Sequence, residues 1–106
     1  MKRMDIEVFA ETTNHAVLRA AGRRFPGSLV QGDSLSILCS LSRRISERLV
    51  ALGVVDEGLL SDAQELQELL LYRIIHYQVV LEEHQIALPY REKFKTEDLV
   101  QFLPSQ

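Results

Sequence analysis

Several residue types that mark particular classes of protein are scarce or missing in this chain of 106 residues. There is no tryptophan, and the single cysteine, Cys39, has no second cysteine with which to form an internal disulfide. This excludes a small domain stapled by disulfides, and a lone thiol inside a helical pattern is typical of a packing residue in a reducing compartment. No run of about 18 apolar residues exists, which excludes a conventional spanning helix, and the N-terminus lacks the apolar core of a secretory signal. We therefore expect a cytoplasmic protein without a membrane association.

The motifs on which most enzymes depend are also missing. There is no glycine-rich phosphate loop, nucleophile elbow or paired-carboxylate arrangement. His76 and His84 are eight residues apart, whereas a helical zinc pair needs a spacing of about four. We therefore predict that the chain is not an enzyme and has no catalytic residue, metal or cofactor. An enzymatic alternative would use four residues near one turn: His15, Arg23, Arg24 and Asp33.

The composition indicates one folded domain, residues 1–106, because 46% of the residues are apolar and 25% are charged. The charge is uneven along the chain. Residues 1–53 hold eight basic and five acidic residues, whereas residues 54–106 hold four basic and ten acidic residues. A net charge of −3 disfavours a general nucleic-acid binder, which needs a basic face toward phosphate. It is compatible with docking onto a basic protein.

The N-terminal third predicts a small element of strands and a short helix. Apolar and polar residues alternate over residues 6–10, as in a half-exposed strand. Thr12, Thr13 and Asn14 are candidate caps for a short helix over residues 14–21 that ends at Gly22. A turn at the Arg-Phe-Pro-Gly sequence then leads to a second short strand over residues 28–31.

The rest of the chain predicts two long helices and a short one. The first helix, about 34–52, follows a Gly-Asp-Ser cap and ends at Gly53. Its predicted buried stripe consists of Leu35, Leu38, Leu41, Ile45, Leu49 and Leu52. Ser61 and Gln64 have the spacing of a capping box for the second helix, about 61–88, which Pro89 ends. A last short helix is expected over residues 97–103. The predicted fold is therefore mainly α, an antiparallel helical hairpin with a small N-terminal element of two strands and a short helix.

The second helix has apolar residues on two opposite sides, whereas a surface helix needs only one apolar stripe. The first stripe consists of Ala63, Leu66, Leu70, Ile74, Tyr77 and Leu81. The second consists of Tyr72, Ile75, Val79 and Ile86. Exposing the second stripe forfeits roughly 1.5–3 kcal/mol per side chain. We therefore expect it to be covered by the N-terminal segment, by a second copy of the chain or by a different protein.

Two charged clusters are candidates for binding. The acidic residues around the start of the second helix are Asp56, Glu57, Asp62, Glu65 and Glu68. The helix dipole by itself accounts for acidic residues in a first turn, but a contiguous acidic patch would also steer a basic partner. We predict that this set binds a partner together with exposed residues of the second stripe, namely Tyr72, Ile75 and Val79.

The basic cluster is a candidate for anion binding, because the arginine fork suits carboxylates and phosphates. Its members fall in two groups, Arg19, Arg23 and Arg24 before the turn, and Arg43, Arg44 and Arg48 on the first long helix. The alternative is that these arginines are solvated or paired within the chain.

The segment GRRFPGSLVQGDSL, residues 22–35, resembles the signature of a family of small bacterial proteins of uncharacterised function, and the preceding TNHAV is similar as well. The resemblance covers about a third of the chain and implies a bacterial source. In size and acidic charge the chain also resembles immunity proteins of bacterial toxin systems, which is an analogy at the level of fold.

These observations favour a non-enzymatic protein-binding module. Its most concrete form is an immunity protein that binds a basic toxin and acts as a homodimer. The alternative is a small homodimeric structural or regulatory module that binds an anionic ligand through its arginines.

Overall fold

The computed structural model describes residues 1–11 and 15–102. The chain folds as two compact units, Met1–Gln31 and Gly32–Gln106. The elements are β1 (Glu7–Ala10), β2 (Val17–Arg19), β3 (Gly27–Ser28), α1 (Gly32–Ala51), α2 (Glu57–Glu83) and a 3₁₀ turn (Thr96–Asp98). Only about half of the residues are helical, so the fold is mixed α and β rather than mainly α. The predicted pair of long helices is present.

The first unit contains a three-stranded antiparallel sheet in the order β1-β2-β3. Val8 pairs with Leu18, with an irregularity between Val8 and Ala10, and Val17 pairs with Ser28. The predicted first strand is confirmed. The second predicted strand, residues 28–31, is found one residue earlier and shorter, as β3.

The short helix predicted over residues 14–21 is wrong where the structure describes it, because Val17–Arg19 is the central strand. Pairing on both edges of this strand outweighs the weak local helical preference. Gly22, predicted to end a helix, instead lies in a turn with φ 79°, in which the Arg23 amide donates to the Ala20 carbonyl at 3.1 Å. The predicted caps Thr12, Thr13 and Asn14 lie outside the described residues.

Helix α1 ends as the sequence predicts. Gly53 has φ 64°, its amide donates to the Val50 carbonyl at 3.0 Å, and the Val54 amide donates to the Leu49 carbonyl at 3.1 Å. This pair of bonds is a Schellman motif, which needs a residue in the left-handed region after the helix and therefore favours glycine.

Helix α2 begins one turn earlier than predicted and ends earlier. Asp56, not Ser61, is its N-cap, because the Asp56 carboxylate accepts the Leu59 amide at 3.0 Å. Gln64 donates to Glu68 at 3.1 Å instead of completing a capping box. The helix ends at Glu83, six residues before Pro89, and Gln85 takes the left-handed conformation with φ 56°.

The two helices pack through small, polar and a few large apolar side chains, and the buried stripe predicted for α1 is wrong in most of its members. Leu35 is buried, but Leu38, Leu41, Ile45 and Leu52 are 41–66% exposed. The buried residues of α1 are Gly32, Leu35, Cys39, Ser42 and Ser46, and those of α2 are Gln67, Leu71, Ile74 and Gln78. We call the α1 set Gly32, Cys39, Ser42 and Ser46 the small-residue seam. Short side chains let two helix axes approach closely, which explains why the leucines are displaced to the side.

The close approach is most evident at Gly32. A Cβ atom at this position would collide with the ring of Tyr77. Seven residues further along α1, the Cys39 thiol donates to the Leu70 carbonyl at 3.3 Å. These two contacts set the antiparallel register of the hairpin.

Two buried glutamines of α2 hold the chain that follows the hairpin. The Gln67 side chain accepts the Val100 amide at 2.8 Å and donates to the Val100 carbonyl at 3.1 Å. Gln78 accepts the Phe94 amide at 2.8 Å and donates to the Phe94 carbonyl at 2.9 Å, and it also accepts the Tyr90 hydroxyl at 2.9 Å. Residues 90–100 are thereby fixed along α2. The short helix predicted over residues 97–103 is limited to the 3₁₀ turn in the described part of this segment.

Candidate protein-binding surfaces

The first turns of α2 and the end of the described chain line an open groove of about 730 Å³. Three of the five predicted acidic residues, Glu57, Glu65 and Glu68, line it, together with Leu60 and Phe102. Carboxylates beside apolar side chains suit lysine or arginine, because such a side chain packs its aliphatic stem while its charged end meets an anion.

The predicted apolar anchors follow the acidic residues of the groove along the same side of α2. Glu65, Glu68, Tyr72, Ile75 and Val79 follow one another at alternating spacings of three and four, so they share one side of the helix. Tyr72 is 51% exposed and Val79 is 47% exposed, whereas Ile75 is partly buried. The structure thus joins the acidic and apolar candidates in one stripe, which we call the mixed stripe.

The other two acidic candidates have different positions. Asp56 is the N-cap of α2 and is committed to the Leu59 amide. Asp62 is exposed and lies three residues after Leu59, four before Leu66 and three before Glu65, so it is at the boundary between the Leu59–Leu66 side of the helix and the mixed stripe.

The six arginine candidates are divided between the two units. In the first unit, Arg19 forms an ion pair with Glu7 at 2.8 Å and lies over the Phe9 ring, 5.4 Å from its centroid. Two hydrogen bonds from Arg19 to the Glu7 carboxylate lower the pKa of Glu7; desolvation opposes this shift, and the positive charge of Arg19 adds to it. Arg24 lies over the ring of Phe25.

On α1, Arg43 is 3.4 Å from Asp98 and 4.0 Å from Glu47. Arg23, Arg44 and Arg48 are exposed and have no ion-pair partner within residues 1–11 and 15–102. Three of the six candidates therefore already contact a carboxylate or an aromatic ring, which leaves fewer guanidinium groups for an external anion.

Cys39 is the buried thiol that the sequence predicts, only 5% exposed. Burial raises the pKa of Cys39 to about 11, so the thiolate is scarce at neutral pH and the group is a poor nucleophile. Burial likewise raises the pKa of Tyr90 to about 12.

The residues of the enzymatic alternative are all exposed. His15, Arg23 and Arg24 belong to the first unit and Asp33 to the second, where the Asp33 carboxylate accepts the Ser34 amide at 2.8 Å. In the part of the chain that the structure describes, no three histidine, cysteine or acidic side chains are grouped as a metal ion requires. Likewise, no described helix is long and apolar enough to cross a membrane.

A second surface was not expected from the sequence. The leucine and isoleucine residues displaced from the core of the hairpin lie exposed on both helices. They are Leu38, Leu41 and Ile45 on α1, Leu52 directly after its last residue, and Leu59 and Leu66 on α2. We call this set the apolar face. A signal for it was present in the sequence, because Gly32, Cys39, Ser42 and Ser46 recur at the helical spacing of a packing stripe of small residues.

Comparison with known proteins identifies a family whose function is unknown. Residues 1–90 match the model of a family of unknown function, DUF6959. No curated protein and no solved structure matches the chain. The match covers all three strands and the two α-helices. Because the family has no known function, a function for this chain is inferred from the geometry of its surfaces.

Proposed function

The chain belongs to the DUF6959 family, and we propose that it is a non-enzymatic protein-binding module. The observation that carries this proposal is the mixed stripe of α2, in which Glu57, Glu65 and Glu68 line one groove and Tyr72 and Val79 continue the same side of the helix. A partner that fits carries a basic segment next to an apolar one.

The two parts of the stripe have different roles in binding. The carboxylates raise the rate of encounter with a basic partner and fix its orientation, since electrostatic complementarity acts mainly on association and specificity. Tyr72 supplies a large amphipathic contact, and exposed tyrosines are frequent among the residues that dominate interface energies. Both parts are needed for a stable complex.

The more specific form of the proposal is an immunity protein that covers the basic active surface of a toxin. An acidic groove of this kind competes with an anionic substrate for the same basic site. The ten acidic residues against four basic ones in residues 54–106 support this form. The immunity form of the proposal needs no enzymatic activity, because covering the active surface of the toxin is enough to neutralise it.

The proposal is tested by capturing partners of the full chain from its host and eluting them with salt. We expect a basic protein that dissociates as salt rises, because the Debye length falls from about 8 Å at physiological ionic strength to about 3 Å at 1 M. For the immunity form, co-expression with the product of a neighbouring toxin gene should restore growth. Captured proteins that are indifferent to salt would contradict the electrostatic part of the proposal.

A charge-matched pair of variants assigns the binding to the groove. The double variant Glu65→Gln with Glu68→Gln should weaken partner binding about tenfold or more, since two attractive charges are lost from one side of α2. The double variant Glu92→Gln with Glu97→Gln makes the same change in net charge at exposed positions outside the groove. Equal weakening by both pairs would mean that net charge, and not the groove, attracts the partner.

A further inference from the structure

The apolar face has the dimensions of a protein interface. Helix α1 has 20 residues and is therefore about 30 Å long, and two helices packed side by side are about 20 Å wide. A standard interface takes about 800 Å² from each partner, roughly a tenth of the surface of a small protein, and the accessible surface of this chain is 8651 Å². One face of the hairpin is thus large enough for a stable contact.

The apolar face is opposite the side on which residues 90–100 lie. Ser36 of α1 lines a cavity with Tyr90 and Phe94, and Ile45 follows Ser36 by nine residues, which is half a turn around the helix. Residues 90–100 therefore do not cover Ile45 or the other residues of the apolar face on α1.

One charged residue interrupts the apolar face on each helix. Arg48 is three residues after Ile45 and four before Leu52, and Asp62 is between Leu59 and Leu66. Both side chains are exposed, and neither has an ion-pair partner among the described residues. An unpaired arginine and an unpaired aspartate in two apolar stripes indicate a partner with the complementary arrangement.

The register of the hairpin places these two charges at the same level. Gly32 packs against Tyr77 and Cys39 against Leu70, so each step forward in α1 corresponds to one step back in α2. Continued along the helices, this register sets Arg48 level with Ser61, one residue from Asp62. The apolar face thus presents a positive charge on one helix and a negative charge beside it on the other.

We propose that the apolar face is the interface of a homodimer in which two hairpins form a four-helix bundle. The two-fold axis is parallel to the helices, so α1 of each copy packs on α2 of the other. Rotation about such an axis does not change the level of a residue, and Arg48 of each copy therefore meets Asp62 of the second copy. The ion pair forms twice, once at each edge of the bundle.

The charges select this axis over the other two-fold arrangement of the same face. An axis perpendicular to the helices would pack α1 on α1 and α2 on α2, which leaves Arg48 and Asp62 on different helix pairs and unpaired. The bundle with the parallel axis also makes all neighbouring helices antiparallel, which is the ordinary arrangement of hairpins joined by short loops. In this arrangement a second copy covers apolar residues with apolar residues and gives both charges a partner.

The dimer leaves Glu68, Tyr72 and Val79 of the mixed stripe accessible, because they lie on a different side of α2 from Leu59 and Leu66. Only Glu65, three residues after Asp62, borders the apolar face. The inference is therefore independent of the proposed function. Dimerisation is measured on the purified protein alone, whereas the proposed function is measured by partner capture with the Glu65 and Glu68 variants, so either can fail without the other.

The test is the oligomeric state of the full chain by sedimentation, with exchanged charges. We expect the wild type to be dimeric, and we expect Arg48→Glu and Asp62→Arg each to weaken the dimer about tenfold or more, since each places like charges together at both edges. An equimolar mixture of the two variants should recover dimers, because one copy then carries two negative and the other two positive residues. Recovery on mixing requires that the pair forms between copies.

A matched control is Arg44→Glu, which makes the same charge change on α1 at a residue lining the cavity with Tyr90 and Phe94. It should leave the dimer unchanged, and circular dichroism should be the same for all variants. A monomeric wild type would overturn the proposal. Dimers that are indifferent to the Arg48 and Asp62 changes, or a mixture of the two variants that stays monomeric, would overturn it as well.

Discussion

The two long faces of the helical hairpin are built from different kinds of side chain. The face that holds residues 90–100 uses the amides of Gln67 and Gln78, which are 4% and 2% exposed. The apolar face carries leucine and isoleucine that remain 41–66% exposed. In a monomer the apolar residues are ordinarily the buried ones. This unit therefore holds residues 90–100 by directional hydrogen bonds and leaves apolar side chains exposed on its other face.

The choice of glutamine on the first face has a physical reason. Residues 90–100 contain little regular secondary structure, so the amide and carbonyl groups of their backbone need partners when they are buried. One glutamine side chain satisfies both groups of one residue, Val100 for Gln67 and Phe94 for Gln78. The two amides therefore fix both the position and the register of the segment.

The contribution of the buried glutamines to stability is tested most directly by removing one of them. Gln78→Ala should lower the free energy of unfolding by about 3–4 kcal/mol, because the Phe94 amide and carbonyl and the Tyr90 hydroxyl lose their partner inside the protein. The measurement is urea unfolding at a fixed protein concentration. Gln64→Ala, which removes a single contact with Glu68, should cost only about 0.5 kcal/mol. Equal losses would mean that the buried amide contributes no more than a surface contact.

The second prediction concerns the pH dependence of stability that arises from Cys39 in the small-residue seam. Burial raises the pKa of the Cys39 thiol from 9.0 to about 11, so between these pH values the unfolded chain loses this proton before the folded chain does. Stability from this group is complete below about pH 9 and decreases as pH rises to about 11, by roughly 2–3 kcal/mol. Cys39→Ser keeps a donor toward the Leu70 carbonyl without the titration. If the free energies of unfolding of the wild type and of Cys39→Ser depend on pH in the same way between about pH 9 and 11, the prediction is contradicted.

The third prediction tests how closely the helices approach. Gly32→Ala should destabilise the protein by roughly 2 kcal/mol, because the added Cβ meets the Tyr77 ring and forces one helix outward. Combining it with Tyr77→Leu should recover part of the loss in thermal unfolding. Gly58→Ala is the matched control, since its Cβ would be 3.5 Å from its nearest neighbour, an oxygen of Asp56. It should be neutral or slightly stabilising.

The smallest predicted effect is a gain. Ser46 is 1% exposed, and its hydroxyl has no hydrogen-bond partner among the described residues. Ser46→Ala should therefore raise the free energy of unfolding by about 1 kcal/mol, through relief of an unsatisfied group and better helix propensity. Ser40→Ala, at an exposed position of the same helix, should gain only the propensity part, about 0.5 kcal/mol. A loss of stability for Ser46→Ala would show that its hydroxyl has a partner in solution.

The sequence predicts the helices well and their packing poorly. Helical periodicity and Gly53 locate α1 and α2 to within one or two turns, because these signals act within a few residues. Ser61 was a plausible cap, but Asp56 comes first along the chain and its carboxylate reaches the free amide of Leu59.

Of the two candidate binding surfaces, one is predictable from local sequence and the other depends on how the helices pack. The carboxylates of Glu57, Glu65 and Glu68 are near one another in sequence and follow a helical spacing, so their common groove is largely a local property. The apolar face was missed, because Leu41 and Ile45 have the periodicity of a buried stripe, and this pattern was preferred over the equally regular spacing of the small residues. The prediction that this stripe forms the core was wrong, because an analysis of periodicity gives more weight to large apolar residues than to small residues at the same spacing.

The sequence by itself determined that this chain would form two long antiparallel helices with an acidic second half and one buried thiol. Caps, periodicity and charge are local, and they act whatever the rest of the chain does. Only the tertiary structure decided that glycine, cysteine and serine would form the small-residue seam and that Leu38, Leu41 and Ile45 would lie outside it. Which side of a helix is buried depends on how closely two backbones approach and on which buried amides find partners, and both are properties of residues distant in sequence.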